Sequence, residues 1–394
     1  MDKRKLYVIL FWFLPILLTG CWDRVEIEER GFVIGTAIDI SGETIEQVGK
    51  HELMMTNQFV VPGGLGSSSQ RGGGEQKAFF NLSTTKESMF ENSQKMASLT
   101  SRSPYYEHLK MIIISNEVAQ VPGAFENVLD FFLRDHEMRR STKVMISEGK
   151  AKNIIGIEPQ NEKLPVMYLD SIAENAYKNA EMLQAVRIGD IHEHLIEQSS
   201  YVIPKITLTN AGAKIKGGAV FHRHNNRMID TINEEETKGL NFITGKTQGG
   251  SIKTNLEGQL VVFEISGAKS RIEAKIKNKE DISFSILIQM EGKIVESFSN
   301  LDFTDTEILN KIEKKLAKEV ERLANLAINK AQEELKTDFL RLAPLFRQQH
   351  YGKWRQIKDD WDHGKNYFAQ SQINVEGRVI IRTSGSILST ETGG

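Results

Sequence analysis

Between residues 308 and 335 the apolar side chains Ile308, Ile312, Leu316, Val320, Leu323, Ala327, Ala331 and Leu335 step by three or four, while Lys311, Lys314, Lys318 and Arg322 fall largely outside that row. Only an α-helix lines such positions up on one face. Thr304 and Glu307 form a capping pair at its start, and the pattern runs to about Lys336. A helix of this length needs something to cover. Three apolar runs precede it at close spacing, Leu260 to Ile265, Arg271 to Ile276 and Ile282 to Gln289, and they read as an antiparallel sheet. A long helix laid over that sheet satisfies both layers, so it is preferred to a coiled-coil pairing with a second chain. Ile373 to Arg382 supplies a last strand.

The remainder reads as α+β with irregular alternation. Gly31 to Ile40, His51 to Val61, Lys77 to Leu82, His108 to Ser115 and Lys143 to Ser147 have strand character. Helices are expected after Thr84 and Glu87, with Met89, Phe90, Ser93, Met96 and Ala97 on one face, then over Ala124 to Arg134, Leu169 to Leu183 and Ile191 to Gln198. Pro204 punctuates the chain. Short strands follow at Ile206 to Thr209, Ala219 to Phe221 and Arg227 to Asp230, the last two joined by a turn at Asn225 and Asn226. Pro62 to Gly74, rich in Gly and Ser, should be a mobile loop without a ligand. The expected organisation is three consecutive domains of mainly antiparallel sheets with packed helices: 21–203, a small middle unit 204–255, and 256–384 with the long helix. Residues 385–394 form a polar tail.

The N-terminus has a different character. Lys3, Arg4 and Lys5 precede the apolar run Leu6 to Leu18, and Thr19 and Gly20 are the small residues a signal peptidase requires, so residues 1–20 read as an export signal. Pro15 interrupts the run, which is shorter than the roughly 20 residues of a membrane-crossing helix. Cys21 follows at once and is the expected site of lipid attachment, a thioether to diacylglycerol. Trp22 suits the membrane interface.

Cys21 is also the one cysteine of the chain. No intrachain disulfide is possible, and lipidation would leave no thiol for cysteine proteases, thiol redox enzymes or cysteine-ligated zinc. The formal charge is −2, or −4 without the leader, which holds three basic residues and Asp2, and this argues against nucleic-acid binding.

Three segments approach known chemistry and miss it. Gly239 to Thr247 resembles a phosphate loop, but five residues separate Gly239 from Gly245 where four are required, so a turn after a helix is expected. His192, Glu193 and His194 lack the spacing of a zinc protease and are expected to face solvent. His222 and His224 share one strand face without a third ligand and are expected on an exposed hairpin edge. No nucleophile elbow, dinucleotide fingerprint or singled-out carboxylate pair is present, and neither catalytic residues, cofactor nor metal is expected.

Cys21-Trp22-Asp23-Arg24 with Glu26-Ile27-Glu28-Glu29 resembles the mature start of the Ger(x)C family, lipoprotein C subunits of nutrient germinant receptors in endospore-forming bacteria. Gly31 to Asp39, His108 to Ile114 and Leu129 to Arg134 agree with its N-terminal domain in order. Lys311 to Lys315 through Ala331 and Gln332, then Asp338, Trp354, Trp361, Asp362 and Val375 to Arg382, resemble its long helix and closing motif. Where the family often has a Gly-Phe-Gly type turn, this chain has Leu340 to Ala343, which would let the helix run on.

The resemblance implies a non-enzymatic three-domain α+β protein on the outer face of the spore's inner membrane. It further implies assembly with integral membrane A and B subunits and a role in nutrient-triggered germination. No ligand-binding residue follows from it. The alternative is an extracytoplasmic solute-binding lipoprotein of a transporter, built as two lobes of parallel βαβ units around a hinge.

Overall fold

The computed structural model describes residues 29–42, 52–66, 76–297, 303 and 305–383. The leader, Cys21, Trp22, Thr304, most of the Gly-rich loop and the tail lie outside the described residues.

Ten strands form one sheet: β1 (Arg30–Ile40), β2 (Leu53–Val60), β3 (Phe79–Lys86), β4 (Ser103–Tyr105), β5 (Met111–Ser115), β6 (Lys143–Ser147), β7 (Val186–Arg187), β8 (Tyr201–Thr209), β9 (Gly212–His222) and β10 (Arg227–Ile232). Their order is β10-β9-β8-β6-β5-β1-β2-β3, with β4 on β1 and β7 on β6. The sheet is mixed. Its centre is parallel, β1 with β5, β5 with β6 and β6 with β8, and its outer pairs β1–β2, β2–β3, β8–β9 and β9–β10 are antiparallel.

A central parallel strand is buried on both faces, and β5 shows why Met111 to Ser115 is apolar throughout. Ile112 and Ile114 point into one core with Val33 and Ile38, and Met111 and Ile113 into another with Ile34 and Ala37. Successive side chains of a strand alternate between faces, so one run feeds two cores. Helices α1 (Met89–Ala97), α2 (Ala124–Arg134), α3 (Pro165–Glu174) and α4 (Ile188–Glu197) close these cores. In α2 the expected residues Phe125, Val128, Leu129 and Phe132 are all buried.

The first of these helices departs from expectation. Thr84 belongs to β3, and the cap is Ser88, whose hydroxyl accepts from the amide of Glu91. The same Ser/Thr-x-x-Glu pattern occurs twice, four residues apart, and the β2–β3 pairing claims the earlier copy. Met89 and Met96 are buried as expected, whereas Phe90 is exposed and Asn92 takes its place inside. There the Asn92 amide donates to the carbonyls of Leu53 and Ser88.

Pro204 lies inside β8, beside a bulge opposite Gly218. A strand tolerates proline there because the ladder is already interrupted. Strands β8 to β10 therefore extend the sheet begun by β1. The hairpin at Asn225 and Asn226 is as expected, with Asn226 left-handed (φ 44°).

After α5 (Glu234–Ile243) come β11 (Ser251–Leu256), β12 (Gln259–Asn278), β13 (Asp281–Ser297) and β14 (Gln372–Thr383), which form a second mixed sheet in sequence order. Two of the three expected strands, Leu260 to Ile265 and Arg271 to Ile276, are one 20-residue strand bent at a bulge near Gly267. Antiparallel pairs β11–β12 and β12–β13 lead to a parallel β13–β14 pair.

The long helix α6 (Thr306–Asn329) covers this sheet and packs on α5, β11 and β14. Its cap is Asp305, whose carboxylate accepts from the amide of Glu307. The stripe is buried as read: Ile312, Leu316, Val320, Leu323, Ala327 and Ala331 are each at most 2 % exposed. The helix relaxes into a π-turn over Lys330–Glu334 and stops at Lys336, left-handed at φ 52°, with the amide of Thr337 donating to Ala331 O at 2.9 Å. This bond steps back six residues, one more than in a Schellman stop because the last turn is a π-turn, and with the left-handed Lys336 it ends the helix before Leu340 to Ala343. Arg341, also left-handed, restarts the chain into α7 (Leu342–Gln349) and α8 (Tyr351–Ile357).

Candidate functional site

Cys21, the one site residue expected from the sequence, lies outside the described residues. The near-motifs resolve into structure. Gly245 adopts φ +66° immediately after α5, so Gly239 to Thr247 is the expected helix-to-turn segment. Gly239 has another reason to be glycine: a Cβ there would meet Leu323 O of α6 at 2.0 Å, so it lets two helices approach.

His194 contradicts the expectation of a solvent-facing residue. It is 9 % exposed, shares a 2.8 Å hydrogen bond between Nδ1 and the Ser199 hydroxyl, and stacks on Tyr201 at 4.9 Å. His222 and His224 are not a free edge either. His222 Nε2 donates to Asp362 O at 3.0 Å, and His224 stacks on His363 at 4.3 Å. Among the described residues no group of three or more His, Cys, Asp or Glu side chains is arranged to hold a metal ion.

These contacts belong to a junction where the closing segment meets the large sheet. Asp338 is fully buried just past the π-turn, where its carboxylate accepts from Trp361 Nε1 at 2.8 Å and from the amides of Leu342 and Ala343 at 3.0 and 2.7 Å. It thereby caps α7. A second acid, Asp362, accepts from the Ser200 hydroxyl at 2.8 Å and from the Asp338 amide at 3.3 Å. It also forms an ion pair with Arg223 of the β9–β10 turn. The Arg223 guanidinium is completed by the carbonyls of Lys358 and Asp359, so the buried charge is paired and hydrogen-bonded. Trp361, 0 % exposed, stands among Phe284, Phe346, Trp354 and Phe368. Arg347 to Glu197 (2.8 Å) and Lys330 to Asp230 (2.9 Å) join the same two bodies nearby.

A cleft of about 480 Å³ opens beside the junction. Its floor is His194, Tyr201, Asn241 and Phe339, and Lys246 and Arg341 stand on its rim. The Tyr201 hydroxyl and Asn241 Oδ1 have no hydrogen-bond partner among the described residues, and the Asn241 amide nitrogen is committed to the carbonyls of Ala180 and Met182. Burial, helped by the positive charges of Arg341 and Lys246, lowers the His194 pKa to about 4. The cleft lining thus includes a neutral imidazole and two residues that each carry a buried, unpartnered polar atom.

The model of the "Spore germination protein N-terminal domain" matches residues 23–208, and that of the "Spore germination B3/GerAC like, C-terminal" domain matches residues 216–385. The chain belongs to the GerAC family of spore germination proteins. Spore germination protein YndF of Bacillus subtilis (strain 168) is 29% identical over 98% of each chain. Spore germination protein B3 of that organism is 27% identical over 92% of this chain and 94% of its own length. Spore germination protein A3, also from it, is 26% identical over 97% and 98%. The crystal structure of the GerBC protein superposes with TM-score 0.59 at 22% identity, covering 89% of this chain and 99% of that one.

GerAC-family receptor subunits are non-catalytic. The mixed ten-stranded sheet differs from the two parallel βαβ lobes of a solute-binding protein. Among the described residues no helix is long and apolar enough to cross a membrane. Asp338, Trp361 and Asp362 were singled out by resemblance to this family. Arg223, Ser200 and Asn241 carry no such mark, because their partners lie up to 162 positions away, and neither does Tyr201, whose hydroxyl has no partner among the described residues.

The junction titrates in a defined direction. Burial raises the Asp338 pKa to about 6, against the hydrogen bond from Trp361 and with added repulsion from Asp362. The folded chain therefore holds this proton through a window in which the unfolded chain, with a carboxyl pKa near 4, has released it. The contribution to stability is present at low pH and is lost as pH rises through about 6. His194 has the opposite sign: its lowered pKa gives stability present above its unfolded value near 6.5 and lost as pH falls towards about 4.

Asp338→Asn removes one of these slopes. Urea unfolding at a series of pH values should show the variant gaining about 2–3 kcal/mol relative to the parent between roughly pH 4 and pH 7. A difference independent of pH would mean that Asp338 is ionised throughout.

Proposed function

We propose that this chain is the lipid-anchored C subunit of a nutrient germinant receptor. Cys21 would carry diacylglycerol, hold the protein at the outer face of the spore inner membrane, and place it beside integral membrane A and B subunits. Its task is then to support nutrient-triggered germination by assembly, without catalysis. The observation that carries this reading is the consecutive match of both spore-germination domain models over residues 23–208 and 216–385. The basic, apolar and small-residue order before Cys21 supports the anchor. Two acyl chains on one cysteine suffice to hold a protein where a single chain binds marginally, at about 0.8 kcal/mol per buried methylene.

The test has two arms. Cys21→Ala should move the protein from the membrane to the soluble fraction of a spore lysate; a variant as membrane-bound as the parent removes the anchor from the proposal. Deletion of the gene, in a strain stripped of other receptors of this family, should abolish germination on at least one nutrient of a panel while sporulation proceeds. Normal germination on every nutrient refutes the receptor reading.

A further inference from the structure

Strand β3 ends the large sheet with a partner on one side only. Beside it lies a groove of about 600 Å³ lined by Phe80, Leu82, Leu99, Pro62 and Arg102, with no acidic side chain among its described walls. Phe80 stacks one ring face on Phe59 at 5.0 Å and remains 45% exposed, and Leu99 is 53% exposed. Leu65, 44% exposed, ends the helical turn that begins at Pro62. Single apolar residues on a surface need no explanation, but here Phe80 and Leu99 stand together at one groove.

The path of the chain says what covers it. Gly31 lines the groove, and Arg30 pairs with Ser103, the residue after Arg102. However the segment from Cys21 to Arg30 is folded, it spans at most about 30 Å. The C-terminal unit contacts the opposite end of the sheet through Arg223 and Asp230. That end, at β10, is seven strand spacings from β3, about 34 Å away. A lipid on Cys21 thus holds the groove within reach of the bilayer. The exposed Arg102 guanidinium has no hydrogen bond or ion pair among the described residues, which leaves it available to a phosphate.

We infer that this groove is a second membrane contact. With Cys21 lipidated, Phe80 and Leu99 enter the boundary between headgroups and acyl chains while Arg102 pairs with a lipid phosphate. This turns the β3 edge of the large sheet towards the membrane. The inference rests on the anchor reading of Cys21.

The mature chain has no other cysteine, so a new thiol can be labelled alone. Phe80→Cys, Leu99→Cys and, as control, Tyr351→Cys, 63% exposed on α8, would each carry an environment-sensitive fluorophore. The lipidated full chain is then floated with vesicles of phosphatidylglycerol brominated in its acyl chains. Sites 80 and 99 should lose roughly half their emission, since an interfacial side chain lies about 5–10 Å deep and within reach of the bromines; site 351 should lose none. A chain that floats with sites 80 and 99 unquenched overturns the inference and leaves the anchor standing, and a protein partner then becomes the occupant of the groove. A processed chain that fails to float overturns both.

Discussion

Asp362→Ala should destabilise the protein by about 3–5 kcal/mol in urea unfolding followed by circular dichroism, because it leaves the Arg223 charge buried and unpaired. The side chains of Asp362 and Arg223 are only 1% and 12% exposed, so water cannot replace the lost carboxylate. The Ser200 hydroxyl and the Asp338 amide lose their acceptor in the same step. The double variant Arg223→Ala with Asp362→Ala should recover part of the loss, since no uncompensated charge remains. A single variant within about 1 kcal/mol of the parent would show that the pair is solvated and carries little.

Trp361→Ala should cost a similar amount, about 3–5 kcal/mol, by a different route. The indole is wholly buried, and its removal leaves a cavity among Phe284, Phe346, Trp354 and Phe368 that these large rings cannot close together. It also withdraws the 2.8 Å hydrogen bond from Asp338, raising that group's pKa further. Trp361→Phe separates the two effects. It keeps most of the packing and loses the N–H, so its cost should be nearer the roughly 1–3 kcal/mol of an unsatisfied buried acceptor. Equal losses in the two variants would assign the whole effect to the hydrogen bond, and the packing account would fall.

These two residues are adjacent in sequence and have different tasks. Trp361 closes the core under α7, and Asp362 reaches across to the large sheet. Together they explain why the closing motif of the chain contacts the β9–β10 turn rather than ending on its own sheet. In the proposed receptor the junction would fix the angle between the membrane-facing sheet and the C-terminal unit, so its loss should impair assembly as well as stability.

What could be read from the sequence was what repeats locally. The row from Ile312 to Ala331 has helical period and is buried as read, because a helix face is set by residues three and four apart. Lys143–Ser147 and Ala124–Arg134 coincide with their expected bounds for the same reason. The four-residue error at Thr84 and Ser88 marks the limit of that reading: two equal caps compete locally, and the pairing of β3 with β2 decides between them.

The chain by itself therefore determined its segments, the covering role of its long helix and, through the order of its motifs, its family. Only the tertiary structure decided the rest: the parallel centre of the large sheet, the burial of His194, the pairing of Arg223 with Asp362, and the position of Phe80 and Leu99 beside the start of β1. Each is a contact between distant segments. Its energy comes from burial and desolvation that exist only once both segments are in place, so neither segment bears a mark of it alone.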